Sequence, residues 1–205
     1  MPRKPLTEDE KSIVREKAAA AARRIMDEYG AEKVTIRGIA KEVGMSAMSL
    51  YTYFENKADI IAYLQSQAVN ELAADLAAAA TKSGSAEKIV AALGDAYIAF
   101  AEEKADEFRL AFRAEEGRIP DSALDSLGIA LQPLREAIAA SVKEARSPDE
   151  IERIVTGIWS GWHGYAMLRQ AGCVEGQTPV FDAKTAAATF GIGKNSKKSS
   201  GAAAH

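Results

Sequence analysis

The sequence predicts an all-α protein, and three observations support that fold class. Its 205 residues are 47% hydrophobic and 27% charged, which is the composition of a chain that buries a core. Alanine is abundant and there are only six prolines, which favours helices over strands. Apolar residues also recur every three or four positions along most of the chain, as they do on one face of a helix.

The first helix is predicted to begin after Thr7 and to end at Gly30. Thr7 and Glu10 have the spacing of a capping box, in which each side chain accepts a hydrogen bond from the other residue's backbone N–H. Glycine readily adopts the left-handed conformation that follows many helix ends, so Gly30 is a natural stop.

Two short helices follow, and a tight turn joins them. Thr35 is predicted to cap a second helix over residues 36–43, which Gly44 ends. Ser46 is predicted to cap a third helix that runs to about Tyr53 and offers small and polar side chains to the outside. This is the layout of a helix-turn-helix, whose second helix fits the DNA major groove. The apolar side chains predicted to face the core are Ile36, Ile39, Ala40, Val43, Leu50 and Phe54.

The remainder of the chain also reads as helices. Asn56 is predicted to cap a long fourth helix that ends near Lys82 in a Ser/Gly loop. Pro133 lies inside a later helical pattern and is expected to kink it or break it in two. Ser147 starts a helix over about 149–171. The last predictions are a helix over 181–190 and a disordered tail over 193–205.

The helix over 149–171 is apolar nearly all the way round. One face is predicted to carry Ile151, Ile154, Ile158, Gly161, Tyr165 and Leu168. The opposite side is predicted to carry Val155, Trp159, Trp162 and Ala166. Such a helix is normally covered on both sides, so we expect its own core on one side and a second copy of the chain on the other, with the helix over 181–190 completing a four-helix bundle. The glycines at 157, 161 and 164 either let that partner approach closely or accommodate the tryptophans.

The charge balance is not that of a polycation. The net charge is −3, and residues 1–63 hold 11 Lys and Arg against 10 Asp and Glu. Affinity for DNA would therefore depend on a few cations that face phosphates. Arg3 and Lys4 form a short basic arm, which either enters a minor groove or is disordered.

We expect a cytoplasmic protein without a membrane segment. No stretch approaches the roughly 18 to 20 apolar residues that span a bilayer, and the N-terminus has no apolar secretion segment. The single cysteine, Cys173, cannot form an internal disulfide, which suits a reducing compartment.

Residues 9–64 resemble the N-terminal DNA-binding domain of TetR-type (TetR/AcrR) transcriptional regulators. The motifs are a first helix ending in Gly30, then Thr-x-Arg-x-Ile-Ala, Gly-x-Ser, Leu-Tyr-x-Tyr-Phe and Asn-Lys. Trp162-His163-Gly164 is similar to the signature of the WHG-type C-terminal domain of that family. The resemblance implies a homodimer, and the domains it predicts are a helix-turn-helix domain over 8–56, a ligand-binding and dimerisation domain over 57–192, and the tail over 193–205.

The recognition helix departs from the family pattern. Ala47 and Met48 are less polar than many members have there, and both are suited to thymine methyl groups, whereas Ser46 and Ser49 suit bases or phosphates. Met48 is alternatively a packing residue. Outside that helix, Gly38 replaces a common acidic residue, which removes half of a capping box, and Val43 replaces a frequent alanine.

Phosphate contacts are predicted around this helix. The resemblance implies that Tyr51 and Tyr53 bind phosphates with their hydroxyls, and half-buried core positions are the alternative. Lys57 lies in the first turn of the fourth helix, where its ammonium and the backbone N–H groups favour a phosphate. Arg37 reaches a base or phosphate, or is solvated. The full predicted set is Thr35, Arg37, Ser46, Ala47, Met48, Ser49, Tyr51, Tyr53 and Lys57.

An apolar cavity in the C-terminal domain is a second candidate site. His163 either binds a ligand there or is a core histidine with its hydrogen bonds satisfied. Aromatic residues at helical spacing either line this cavity or form plain core. No metal or cofactor is expected, since no Cys/His cluster exists. The candidate pocket residues are Tyr97, Phe100, Phe108, Phe112, Trp159, Trp162, His163 and Met167.

The hypothesis from the sequence is a homodimeric repressor that a small molecule releases from a palindromic operator in double-stranded DNA. A ligand-independent DNA-binding regulator of the same fold is the alternative. An enzyme is disfavoured, because the sequence has no Gly-x-Ser-x-Gly elbow, metal-ligand spacing or phosphate-binding glycine loop.

Overall fold

A computed structural model describes residues 7–80, 85–113, 119–141 and 146–175, together with 185, 188 and 189. All regular structure in these residues is helical, which confirms the predicted fold class. The arm at Arg3 and Lys4, most of the helix predicted over 181–190 and the tail over 193–205 lie outside the described residues. The helices are α1 (Glu8–Tyr29), α2 (Ile36–Glu42), α3 (Ala47–Leu50), α4 (Lys57–Ala80), α5 (Ala86–Glu103), α6 (Ala105–Ala111), α7 (Asp121–Ala130), α8 (Gln132–Ala140) and α9 (Pro148–Gln170), with a 3-10 turn at Ala31–Lys33.

The helix starts follow the local signals in the sequence. Thr7 Oγ1 accepts from the Glu10 N–H at 3.2 Å, and the Glu10 carboxylate accepts from the Thr7 N–H at 2.8 Å. Ser147 and Glu150 form the same reciprocal pair at the start of α9, with Pro148 as its first residue. Since each box satisfies two N–H groups that the helix cannot, both starts are fixed by a few neighbouring residues.

The third helix is shorter than predicted. It ends at Leu50 rather than near Tyr53, because the Thr52 and Tyr53 N–H groups bond to the carbonyls three residues back, Ser49 and Leu50.

Pro133 breaks its helix in two, which is one of the two outcomes predicted for it. The helices α7 and α8 meet at Leu131, and the proline occupies the first turn of α8.

The chain divides into two compact units. The first contains the described residues of 1–69 and 109–124, and the second those of 70–108 and 125–205, so the division falls inside α4. In the first unit, the buried Gln65 donates through Nε2 to the Arg113 carbonyl at 2.7 Å, which ties the segment after α6 to α4. The functional division at residues 56 and 57 stays a prediction.

In the second unit, α5, α8 and α9 pack together around Trp162. Trp162 is 1% exposed, and a Cβ added at Gly94 of α5 would lie 2.7 Å from its Nε1. The residue that makes room for this tryptophan is therefore Gly94, and the sequence pattern around it gives no sign of this. A Cβ at Gly164 of α9 would meet nothing within 4 Å, so this glycine does not accommodate a tryptophan.

The predicted faces of α9 were wrong. One continuous side of the helix is buried, and it joins residues that had been placed on opposite faces. The reason is geometric, since positions three and four apart lie side by side on a helix. The buried residues are Val155, Ile158, Trp162, Tyr165 and Ala166.

None of the described helices is both long and apolar enough to cross a membrane.

Candidate nucleic-acid interface

The turn between α2 and α3 sets the direction of the recognition helix. Gly44 has a φ of 70°, and the next N–H, of Met45, donates back to the Ala40 carbonyl at 2.8 Å. Ser46 then caps α3, with its Oγ accepting from the Ser49 N–H at 3.0 Å. A residue with a side chain would be strained at the φ of Gly44, which explains the glycine at this turn.

The core-facing side of α3 is anchored as predicted. Leu50 is 0% exposed and Phe54, four residues later, is 1% exposed. These two side chains bury the inner face of the helix and leave its other side to solvent. A one-turn helix has little stability of its own, so this burial holds it in place.

The outer side of α3 presents an apolar side chain beside a pair of hydroxyls. Met48 is 77% exposed and Tyr51 is 52% exposed, while Ala47 is half-buried. Ser46 and Ser49 are exposed, and their hydroxyl oxygens are hydrogen-bonded to each other at 2.8 Å. The exposure of Met48 excludes the alternative that it packs in the core of the described residues.

The predicted contacts on α2 are also exposed. Thr35 caps the helix by accepting from the Gly38 N–H at 3.0 Å, and the reciprocal carboxylate is missing, as expected from glycine at 38. A Cβ at Gly38 would lie 3.0 Å from Thr35 Oγ1, so the glycine leaves room for the cap. Arg37 is exposed one position into the helix.

Lys57 has a structural partner that the sequence did not reveal. Its Nζ donates to the Ala31 carbonyl at 2.7 Å, and the side chain is half-buried. The contact joins the 3-10 turn after α1 to the first residue of α4. Tyr53 is half-buried as well, so these two predicted phosphate contacts are less accessible than Tyr51.

Arg15 of α1 is a further supporting residue that sequence reasoning missed. Its guanidinium carbon lies 4.9 Å from the ring centre of Phe54 and 5.1 Å from that of Tyr63, and its NH2 is 3.9 Å from Asp59. A cation between two ring faces is attracted to both, so Arg15 links α1 to the end of the recognition segment and to α4. The available signal was spacing, since Arg15 falls on the same helix face as the buried Ala18, Ala19 and Ala22.

A hydrogen-bonded pair lies in the candidate ligand site of the second unit. The Tyr97 hydroxyl and His163 Nδ1 are 2.8 Å apart, and Tyr97 is 0% exposed. Burial raises the pKa of Tyr97, and the Trp159 indole opposes that rise. Burial lowers the pKa of His163, which favours the neutral ring. The tautomer of His163 sets which of the two groups donates.

The aromatic side chains around Tyr97 and His163 are in contact with each other. The ring centres of Tyr97 and Phe108 are 5.7 Å apart, those of Tyr97 and Trp162 are 6.2 Å apart, and those of Phe108 and His163 are 5.4 Å apart. Phe100 is buried in the same unit. Such contacts are typical of a packed core, which was the alternative to a cavity lining.

Two predicted pocket residues differ in burial from Tyr97, Phe100, Phe108 and Trp162. Met167 is 49% exposed and neighbours the exposed Leu168, and Phe112 is half-buried and belongs to the first compact unit. An open cavity of about 500 Å³ lies elsewhere in the second unit, where α5, α6 and α9 end or begin. Its wall includes the ion pair between Glu102 and Arg169. In the described part of the chain, no three His, Cys, Asp or Glu side chains are grouped to hold a metal ion.

Two family models match this chain. The model described as bacterial regulatory proteins, tetR family, matches residues 19–64, which contain the second half of α1, all of α2 and α3, and the start of α4. The model described as tetracyclin repressor-like, C-terminal domain, matches residues 90–190. Among curated proteins, none matches the sequence.

Solved structures share the fold at low sequence identity. A protein of unknown function from Rhodococcus sp. RHA1 is 19% identical, with a TM-score of 0.67 over 95% of this chain and 100% of that one. A protein titled as a tetR family transcription regulator from Shewanella sp. PV-4 is 18% identical, with a TM-score of 0.64 over 86% and 95%. A TetR family transcription regulator from Marinobacter aquaeolei VT8 is 13% identical, with a TM-score of 0.60 over 91% and 96%.

Proposed function

This chain belongs to the tetR family of bacterial regulatory proteins, and from that premise we propose that it is a repressor that a small molecule releases from a palindromic operator. Regulators of this family bind DNA through the helix-turn-helix and carry a C-terminal helical domain. An enzymatic activity is not part of the proposal, since the family and the fold are those of transcription regulators. A protein with this role acts in the cytoplasm.

The observation that carries the proposal is the exposure of the recognition helix. α3 turns Met48 and Tyr51 toward solvent while Leu50 and Phe54 bury its other side. A helix that enters the major groove needs one free side and one anchored side. Because the same residues fall within the matched family segment, we propose base or phosphate contacts by the full predicted set on α2, α3 and the start of α4.

The residues proposed to contact phosphates differ in how accessible their side chains are to DNA. Arg37, Thr35 and Tyr51 are exposed and can reach DNA without rearrangement of the fold. Lys57 is held by the Ala31 carbonyl, so we assign its proposed contribution to the positive charge it adds at the start of α4. Because the loss of affinity with added salt scales with the number of phosphates that cations neutralise, and few cations are available here, this loss should be shallow.

We propose that α9 forms part of the homodimer interface. Its buried side faces the core of its own unit, and the side away from it carries Met167 and Leu168, exposed at 49% and 47%. Gly164 lies in open space, which lets another helix come close. Pairing this side of α9 with the same side of a second copy gives two recognition helices and hence an operator with two-fold symmetry.

We propose the neighbourhood of Tyr97, Trp159 and His163 as the place where a ligand acts. A ligand can shift the protein away from DNA only by binding two conformations unequally. The buried Tyr97 hydroxyl and the half-buried indole and imidazole offer hydrogen-bonding groups inside an apolar unit, which is the chemistry of small-molecule sites. The mutual packing of the aromatic rings favours the second candidate, a regulator whose core is filled and which needs no ligand.

A gel-shift titration of the full chain tests the proposal. The probe is the promoter region upstream of its own gene, and the competitor is random duplex DNA at physiological salt. We expect preferential binding to the promoter, which Tyr51→Ala abolishes while the circular dichroism spectrum remains unchanged. Equal affinity for both DNAs would contradict a sequence-specific regulator.

A further inference from the structure

Met48 is the most exposed large apolar side chain of the recognition helix. It is an unbranched thioether at the second position of α3 and is 77% exposed. Ala47 beside it is half-buried and too short to reach as far. A molecule that binds this side of α3 can therefore bury the Met48 side chain against its own surface.

The polar groups of the same tip are already engaged. Ser46 Oγ accepts from the Ser49 N–H at 3.0 Å, and one of the two serine hydroxyls donates to the other at 2.8 Å. Only one O–H of this pair is left to donate to an outside acceptor. The Thr52 hydroxyl donates to the Ser49 carbonyl at 2.7 Å. The tip thus offers little hydrogen bonding and a prominent apolar surface.

We propose that Met48 is a specificity-determining residue that recognises the C5-methyl group of a thymine in each half-site of the operator. In the major groove, thymine is the base that presents a methyl group at its edge. The inference rests on the proposed function and goes further by naming the chemical group that is recognised. The hydrogen-bonding pattern of uracil is the same as that of thymine, so removing the methyl isolates this contact.

The expected effect follows from the area of one methyl group. Burying one such group against an apolar side chain changes affinity by about fourfold per half-site. If the free energies of the two half-sites in a dimer add, removing the methyl group from both should weaken binding about fifteenfold.

The experiment begins with selection of bound duplexes from a random library by the purified full chain. Each thymine of the selected duplex is then replaced by deoxyuridine, one position at a time, and affinity is measured by fluorescence anisotropy at fixed salt. We expect one thymine per half-site whose replacement weakens binding about fourfold. In Met48→Ala, the same replacement should have no effect, while Met48→Leu should retain it.

Ile129→Ala is the matched control, since Ile129 lies on α7 and is 75% exposed. It should leave both the affinity and the thymine preference unchanged. Thermal unfolding of Met48→Ala should match that of the unaltered chain, because the side chain is not packed. A uracil effect of the same size in Met48→Ala, or no uracil effect in the unaltered chain, overturns this inference alone. Failure to select any sequence instead counts against the proposed function.

Discussion

Replacing Gly94 by alanine tests whether close contact with Trp162 explains this glycine. An alanine in a helix interior is normally better than glycine by about 1 kcal/mol. At position 94 the new Cβ would lie 2.7 Å from Nε1 and 3.0 Å from Cε2 of Trp162. The indole is rigid and 1% exposed, so it cannot move aside cheaply, and such overpacking costs about 1–3 kcal/mol. The net expectation is a loss of up to about 2 kcal/mol of unfolding free energy.

Gly128 provides the matched control, because it lies in α7 with nothing within 4 Å of an added Cβ. Gly128→Ala should stabilise the protein by up to about 1 kcal/mol. Both tryptophans lie on α9, so their fluorescence during urea unfolding reports on the second unit. If Gly94→Ala gained as much stability as Gly128→Ala, the steric argument would be refuted.

Two further predictions concern the hydrogen bond between Tyr97 and His163, measured by the same fluorescence assay. Tyr97→Phe should destabilise the second unit by about 1–3 kcal/mol, because His163 Nδ1 loses its partner; unchanged stability would contradict a stabilising hydrogen bond at this position. Stability should also fall as pH drops below 6.5, because burial lowers the pKa of His163 and the unfolded chain binds the proton more readily. His163→Gln should remove that part of the pH dependence, and an identical slope in the variant would count against it.

Features set by neighbouring residues were predictable from the sequence. The boxes at Thr7–Glu10 and Ser147–Glu150 involve residues three apart, so their spacing alone was enough. The break at Pro133 follows from the missing N–H of proline. The family motifs located the helix-turn-helix for the same reason, since its turn and caps are local.

Contacts between distant parts of the chain were not predictable. Gly94 in α5 and Trp162 in α9 are separated in sequence by the whole of α6, α7 and α8, and nothing in the local pattern around Gly94 indicates a neighbouring indole. The same holds for the bond from Lys57 to the Ala31 carbonyl, where a lysine beside a helix start suggested a phosphate instead. On α9, apolar residues occur on so many positions that periodicity could not tell the core side from the other.

The support of the recognition helix lies largely outside that helix. α3 is a single turn, which would not persist in isolation, so its direction depends on what holds its ends. Behind its C-terminal end, Arg15 lies over Phe54 and Tyr63, while Lys57 fixes the start of α4 to the turn after α1. Because the geometry of base contact tolerates little displacement, residues that need never touch DNA should govern affinity through position. The exposed side chains of α3, Met48 among them, are the groups that we propose to contact the operator.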